Sequence, residues 1–320
     1  MLWGRVTFAR SGARVAVAAA LAALGAACDT ILPAPIENGD LPLPRHGSLH
    51  YTVVGAAADT VIVLHGGPGL HSRYLRAAFD PLGTRHTVIY YDQRGRGRSA
   101  VEIDSTTLTA AQDVEDLDSL RRFFHLSRVT LVGHHWGAVL AVLYAKRFPE
   151  HVARLLLVSP SYPTASYLYW AATLPHDTRA TEAYGRAIMV RADSIDPETF
   201  CQHFWGFLFS PRELTDPVLV HRLAGEMCDA PPLALRRSWA INRYVPTSLH
   251  GLNLRDTLRA VTAPALIVQG VTDTATAEGA RAWAEWIPGA KKVDLSEPGP
   301  FPWLGNRGRF DTVVRTFLGE

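Results

Sequence analysis

Downstream of Leu49, short runs of apolar and β-branched residues alternate with longer stretches whose apolar positions recur every three or four residues. The short runs predict strands at 50–54, 60–64, 87–91, 129–132, 155–158, 265–269 and 291–295. Several are apolar without a break, as parallel strands buried on both faces are. The longer stretches predict helices at 110–124, 138–147 and 277–286; in the first, Val114, Leu117, Leu120, Arg121 and Phe124 share one face. Strands and helices in alternation specify an α/β fold, a mostly parallel central sheet flanked by helices. Between Ser159 and Leu252 the strand signals vanish, and Tyr167, Tyr169, Trp170, Phe204, Trp205, Phe207 and Phe209 mark an aromatic, helix-like stretch. The expected layout is a core of 47–158 and 253–320 carrying a helical insertion at 159–252.

The N-terminal segment follows a different pattern. Residues 1–14 hold Arg5, Arg10 and Arg14 and no acid, and 15–27 form an uncharged run of thirteen small and apolar residues ending at Cys28. As a helix that run rises about 20 Å, short of the roughly 30 Å of hydrocarbon in a bilayer, so it reads as an export leader (1–27) and not as a spanning helix. Gly25, Ala26 and Ala27 before Cys28 resemble the cleavage box of bacterial lipoproteins, in which the cysteine carries the lipid. That implies attachment at Cys28 and an exported, membrane-anchored lipoprotein. An ordinary secretory signal with an incidental cysteine is the alternative, and it gives a secreted or periplasmic domain. Residues 28–46, with prolines at 33, 35, 42 and 44, read as an extended Pro-rich tether.

Composition narrows the classes. With 48% hydrophobic and 19% charged residues, the 320-residue chain has enough apolar surface for a large core. Its formal charge of +2 becomes −1 once the three leader arginines are removed, which leaves no electrostatic footprint for nucleic acid. Three cysteines, none in a CxxC pair, exclude a disulfide-dense scaffold and a zinc site built mainly from thiolates. In an oxidising compartment Cys201 and Cys228 either pair or remain two buried thiols.

Three glycine-rich motifs each follow a predicted strand. They are His65-Gly66-Gly67-Pro68-Gly69, Asp92-Gln93-Arg94-Gly95-Arg96-Gly97-Arg98-Ser99 and Gly133-His134-His135-Trp136-Gly137. The carboxyl ends of strands are where open α/β sheets bind ligands. In this order and context the motifs resemble the α/β-hydrolase fold, and within it the prolyl aminopeptidase-like branch, over roughly residues 47–318. The resemblance implies a helical cap where the aromatic insertion lies. It also implies an oxyanion hole made by the backbone N–H groups of Gly67 and Trp136, and a triad carboxylate at Asp273.

At two positions the chain departs from that pattern. The elbow motif G-x-S-x-G presents a serine hydroxyl on a sharp turn, and here its central place holds His135 between Gly133 and Gly137. The triad histidine belongs in the loop after the last strand, and there the chain reads Gly299-Pro300-Phe301-Pro302-Trp303, with Pro300 in the slot and no histidine beyond His250. Without hydroxyl or imidazole at these places, an acyl-enzyme route through them has no nucleophile and no proton carrier.

The expected function is therefore non-hydrolytic: a pseudoenzyme relative that keeps a pocket for a small molecule or a peptide N-terminus. The alternatives are an active enzyme in which a His135–Asp273 dyad serves as general base beside the backbone oxyanion hole, or a peptidase or esterase with a rearranged site. No cofactor is expected. His134 and His135 are adjacent on a turn and should point to different sides, so no metal site is expected either. Asp92 and Arg94 are expected to pair with each other or with neighbouring loops at the pocket rim. The resemblance also implies a cap acid that holds a ligand's amino group, for which Glu198, Glu213 and Glu226 are candidates by region only.

Overall fold

The computed structural model describes residues 36–320 except 45–46, 100, 102–103, 162, 164–195, 210–215, 251, 272–273 and 297–298. The expected leader, Cys28 and the first part of the expected tether lie outside the described residues. Eight strands form one sheet: β1 (Ile36–Pro42), β2 (Ser48–Val54), β3 (Thr60–Leu64), β4 (Thr87–Tyr91), β5 (Val129–His134), β6 (Val152–Val158), β7 (Ala265–Gly270) and β8 (Lys291–Leu295). Their order is β1-β2-β4-β3-β5-β6-β7-β8. β3 to β8 run parallel, and β1 and β2 add an antiparallel edge.

The period of two along each strand sorts the core into two layers. Ile62, Leu64, Leu131, Leu155, Leu157 and Ile267 face one side, while Val61, Val63, Val132, Leu156, Val158 and Val268 face the other. The first layer is covered by α1 (Ala110–Phe123), α2 (Trp136–Arg147) and the helix at Thr274–Trp286, through Leu117, Leu120, Val139 and Trp283. The C-terminal helix Arg307–Leu318 covers the second with Phe310, Val314 and Leu318. Each fully buried aliphatic side chain contributes about 1.5–3 kcal/mol, so these layers dominate the stability.

β1 corrects the tether expectation for 28–46. Residues 36–42 pair along their whole length with β2, from Ile36 opposite Val54 to Pro42 opposite Ser48. Leu41 and Leu43 are buried against the first layer. Proline and alternating polar residues hid this strand because it is an edge, where a missing N–H is tolerated. Gly39 lies over the Tyr51 ring so closely that a Cβ would meet the Tyr51 hydroxyl at 2.3 Å.

Between β6 and β7 the described residues form α3 (Pro197–Phe209), α4 (Pro217–Cys228), α5 (Pro232–Thr247) and α6 (Leu254–Arg259). A disulfide between Cys201 and Cys228 joins α3 to α4, with Cα atoms 5.7 Å apart. α4 packs on the second core layer through Val220, Leu223 and Met227, and α5 on the first through Ile241 and Val245. The helix at Thr274–Trp286 becomes α7 and Arg307–Leu318 becomes α8 in chain order. β3 stands between β4 and β5, so the loops leaving β3 and β5 diverge and open a crevice at the carboxyl edge.

Candidate functional site

The turn from β5 into α2 is the sharpest feature of that edge. His135 connects them with φ 50° and ψ −110°, a conformation rare for a residue with a side chain. Its neighbours have to be glycine: a Cβ at Gly133 would meet the Gly137 carbonyl oxygen at 2.5 Å, and one at Gly137 would meet the Leu64 carbonyl oxygen at 2.1 Å. The His135 N–H donates to the Val158 carbonyl at 3.1 Å, which ties the turn to β6. Its imidazole does not cap α2 and makes no hydrogen bond among the described residues. Burial lowers its pKa to about 4, so the ring is neutral at pH 7.

Trp136 is the first residue of α2, and its N–H is one of the four that lack an acceptor within the helix. Its indole is fully buried and donates to Gln93 Oε1 at 3.1 Å. Gln93 in turn donates through Nε2 to the His65 carbonyl at 3.0 Å, and its own N–H donates to His65 Nε2 at 3.1 Å. His65 Nδ1–H is then left to donate to the Gly66 carbonyl at 2.9 Å. Burial holds the His65 pKa down to about 3. Gln93 thus fastens the loop after β3 to the start of α2. Gly67 itself takes φ 120°, and a Cβ there would meet the Gly69 nitrogen at 2.3 Å.

The second motif braces that loop with buried charge. Arg96, fully buried, forms a two-pronged pair with Asp113 of α1 at 2.7 and 2.8 Å and donates to the Pro68 carbonyl at 3.0 Å. Arg94 pairs with Asp116 at 2.8 and 2.5 Å. Asp92 does not meet Arg94. It accepts from the Ser72 N–H and hydroxyl, each at 2.8 Å, and from the Arg98 N–H at 2.8 Å. The signal for this network was Asp113, an acid on the apolar face of α1 between Ala110 and Leu117.

The terminal loop meets the elbow through His134, not His135. Pro300 offers its backbone carbonyl to His134 Nε2 at 2.8 Å, and His134 Nδ1 lies 2.7 Å from the Tyr74 hydroxyl. Both ring nitrogens are thus engaged. Asp273 lies outside the described residues, so the partner expected for His135 is not placed. Of the cap acids, Glu198 is exposed and accepts from Gln202, and Glu213 is outside the described residues. Glu226 is half-buried, with its pKa raised by burial, near Arg222 and Arg73. α4 docks on the segment after the first glycine loop: His71 Nε2 bonds the Met227 carbonyl at 2.9 Å, and Arg73 pairs with Asp229 at 2.5 Å.

Residues 59–304 match the family model described as alpha/beta hydrolase fold. The proline iminopeptidase of Lactobacillus delbrueckii subsp. bulgaricus is 29% identical over 83% of this chain and 92% of its own length. That of Lactiplantibacillus plantarum is 27% identical over 78% and 89%. Among solved structures, a hydrolase from Pseudomonas aeruginosa superposes with a TM-score of 0.66 at 23% identity, covering 89% of this chain and 99% of that one. An esterase from Exiguobacterium antarcticum superposes with a TM-score of 0.67 at 20% identity, covering 89% and 100%.

Proposed function

The chain belongs to the α/β-hydrolase fold family, and from that premise we propose that it is a prolyl aminopeptidase relative that no longer performs acyl transfer through a serine. It keeps the site as a pocket for a small molecule or a peptide amino terminus. The observation that carries this reading is His135 on the strained turn between Gly133 and Gly137. An imidazole stands where a serine hydroxyl would attack, and Pro300 brings no side-chain base. Loss of a triad's nucleophile or its base costs about a millionfold in turnover.

What remains suits recognition. The N–H groups of Gly67 and Trp136 are the candidate donors to a carbonyl or carboxylate oxygen, and the helix start at Trp136 adds partial positive charge. A His135 pKa of about 4 leaves the imidazole a weak base at neutral pH, which favours holding a ligand over abstracting a proton. A general base poised for catalysis has a pKa near the working pH.

Fluorophosphonate labelling tests the reading directly: no serine of the purified protein should be captured. Covalent capture would overturn it in favour of a rearranged hydrolase. A peptide and ester substrate screen should find no turnover that His135→Ala abolishes; such turnover would establish the His135–Asp273 dyad instead. The double variant His135→Ser with Pro300→His should gain aminopeptidase or esterase activity.

We also propose that the domain works outside the cytoplasm, anchored by lipid at Cys28. The arginine-then-apolar leader supports this, and so does the Cys201–Cys228 disulfide, a bond that persists in oxidising compartments.

A further inference from the structure

The strand residue before the elbow, His134, takes part in a hydrogen-bond chain whose direction is fixed by proton counting. The Gly66 N–H donates to the Tyr74 hydroxyl at 2.9 Å. That hydroxyl keeps one proton, and it lies 2.7 Å from His134 Nδ1. At the far end Nε2 faces the Pro300 carbonyl at 2.8 Å, and a carbonyl only accepts. The ring proton therefore sits on Nε2, Nδ1 accepts from Tyr74, and every member of the chain is satisfied. The ring is 2% exposed and stands in an aromatic sleeve, with Tyr74, Phe301 and Trp303 ring centres 5.5, 5.4 and 5.2 Å away.

We propose that His134 is a positioning residue, a neutral latch that holds the 299–304 loop to the first glycine loop. It sets where Pro300 and Phe301 stand relative to Gly66 and Gly67. The latch uses only the backbone carbonyl of residue 300, so it works with proline there. It also accounts for glycine at 66, where a Cβ would meet the Tyr74 hydroxyl at 2.9 Å and His134 Nδ1 at 3.1 Å. The titratable groups that act on the ring are His135 and His65, besides its partner Tyr74. Burial keeps both of those histidines uncharged at neutral pH, and burial lowers the pKa of His134 itself to about 3, so its ring stays neutral there. Its bearing on ligand binding rests on the pocket proposed above; the contact itself does not.

The test uses ligand-free protein with 15N-labelled histidine. Long-range nitrogen–proton correlation spectra should show His134 as the Nε2–H tautomer, unchanged between pH 7 and pH 5. His134→Ala should accelerate amide deuterium exchange in 299–304 and 66–70 about tenfold while leaving β4 and β7 protected. His134→Gln, whose amide both accepts and donates, should restore most of the protection. Should the alanine variant fail to fold, Tyr74→Phe removes the donor to Nδ1 and should shift that nitrogen's resonance and speed exchange at 66–70. An Nδ1–H tautomer or an imidazolium at pH 7 would overturn the latch. Unchanged exchange in both His134→Ala and Tyr74→Phe would do the same. These readouts need no ligand, so the latch and the pocket fail separately.

Discussion

Three imidazoles lie at the carboxyl edge of the sheet, and each is held neutral by burial: His65 and His134 with pKa values of about 3, His135 with about 4. In the unfolded chain a histidine titrates near pH 6.5, so between that value and the depressed ones the unfolded state binds more protons. Stability therefore rises with pH across this window. It falls as pH drops below 6.5, by about 1.4 kcal/mol per pH unit for each such histidine, until the folded pKa is reached. His65→Gln removes one of these protons. In urea titrations at pH 7 and pH 5, the loss of unfolding free energy should be smaller in the variant by about 2 kcal/mol. An equal loss in both proteins would mean that His65 titrates in the fold as it does in the unfolded chain. The comparison of slopes holds whatever the substitution costs at pH 7.

At the scale of elements, α3 and α4 are joined by the Cys201–Cys228 bond across a sequence separation of 27. Closing a loop of that size constrains the unfolded chain by about 3–4 kcal/mol. Reductant should lower the unfolding free energy by about that amount in wild type and by nothing in Cys201→Ser with Cys228→Ser, as followed by denaturant melts. A wild-type protein indifferent to reductant would mean that the pair does not form. The sequence left this pairing open because two cysteines on separate helices carry no signal of how those helices dock. β3 and β4 were legible to the residue, since a buried parallel strand is an unbroken apolar run bounded by turn formers. β1 was not, because an edge strand is half solvent-facing and accepts proline and charge. The elbow was legible from Gly133 and Gly137, whose spacing records a backbone contact. The roles of Gln93 and His134 were not, because their partners lie 28 to 166 residues away and leave no local period.

Over the whole molecule, the formal charge of residues 28–320 is close to zero. Binding to a membrane through basic patches is therefore a poor explanation for any membrane association, and a lipid on Cys28 is the stronger one. Growth with radiolabelled palmitate should mark the wild-type protein and not Cys28→Ala, and the variant should move from the membrane to the soluble fraction. Label retained by the variant would rule out Cys28 as the acylated residue.

If the chain is held at Cys28 as proposed, strand β1 gives the attachment a mechanical character. A load entering the folded unit at Ile36 acts at the open end of the β1–β2 hairpin, where Ile36 faces Val54 and the turn lies at the far end. The ladder is then opened one rung at a time instead of being sheared all at once. Its seven residues would release roughly 23 Å of slack, at about 3.3 Å each, before the parallel strands beneath the site bear any tension.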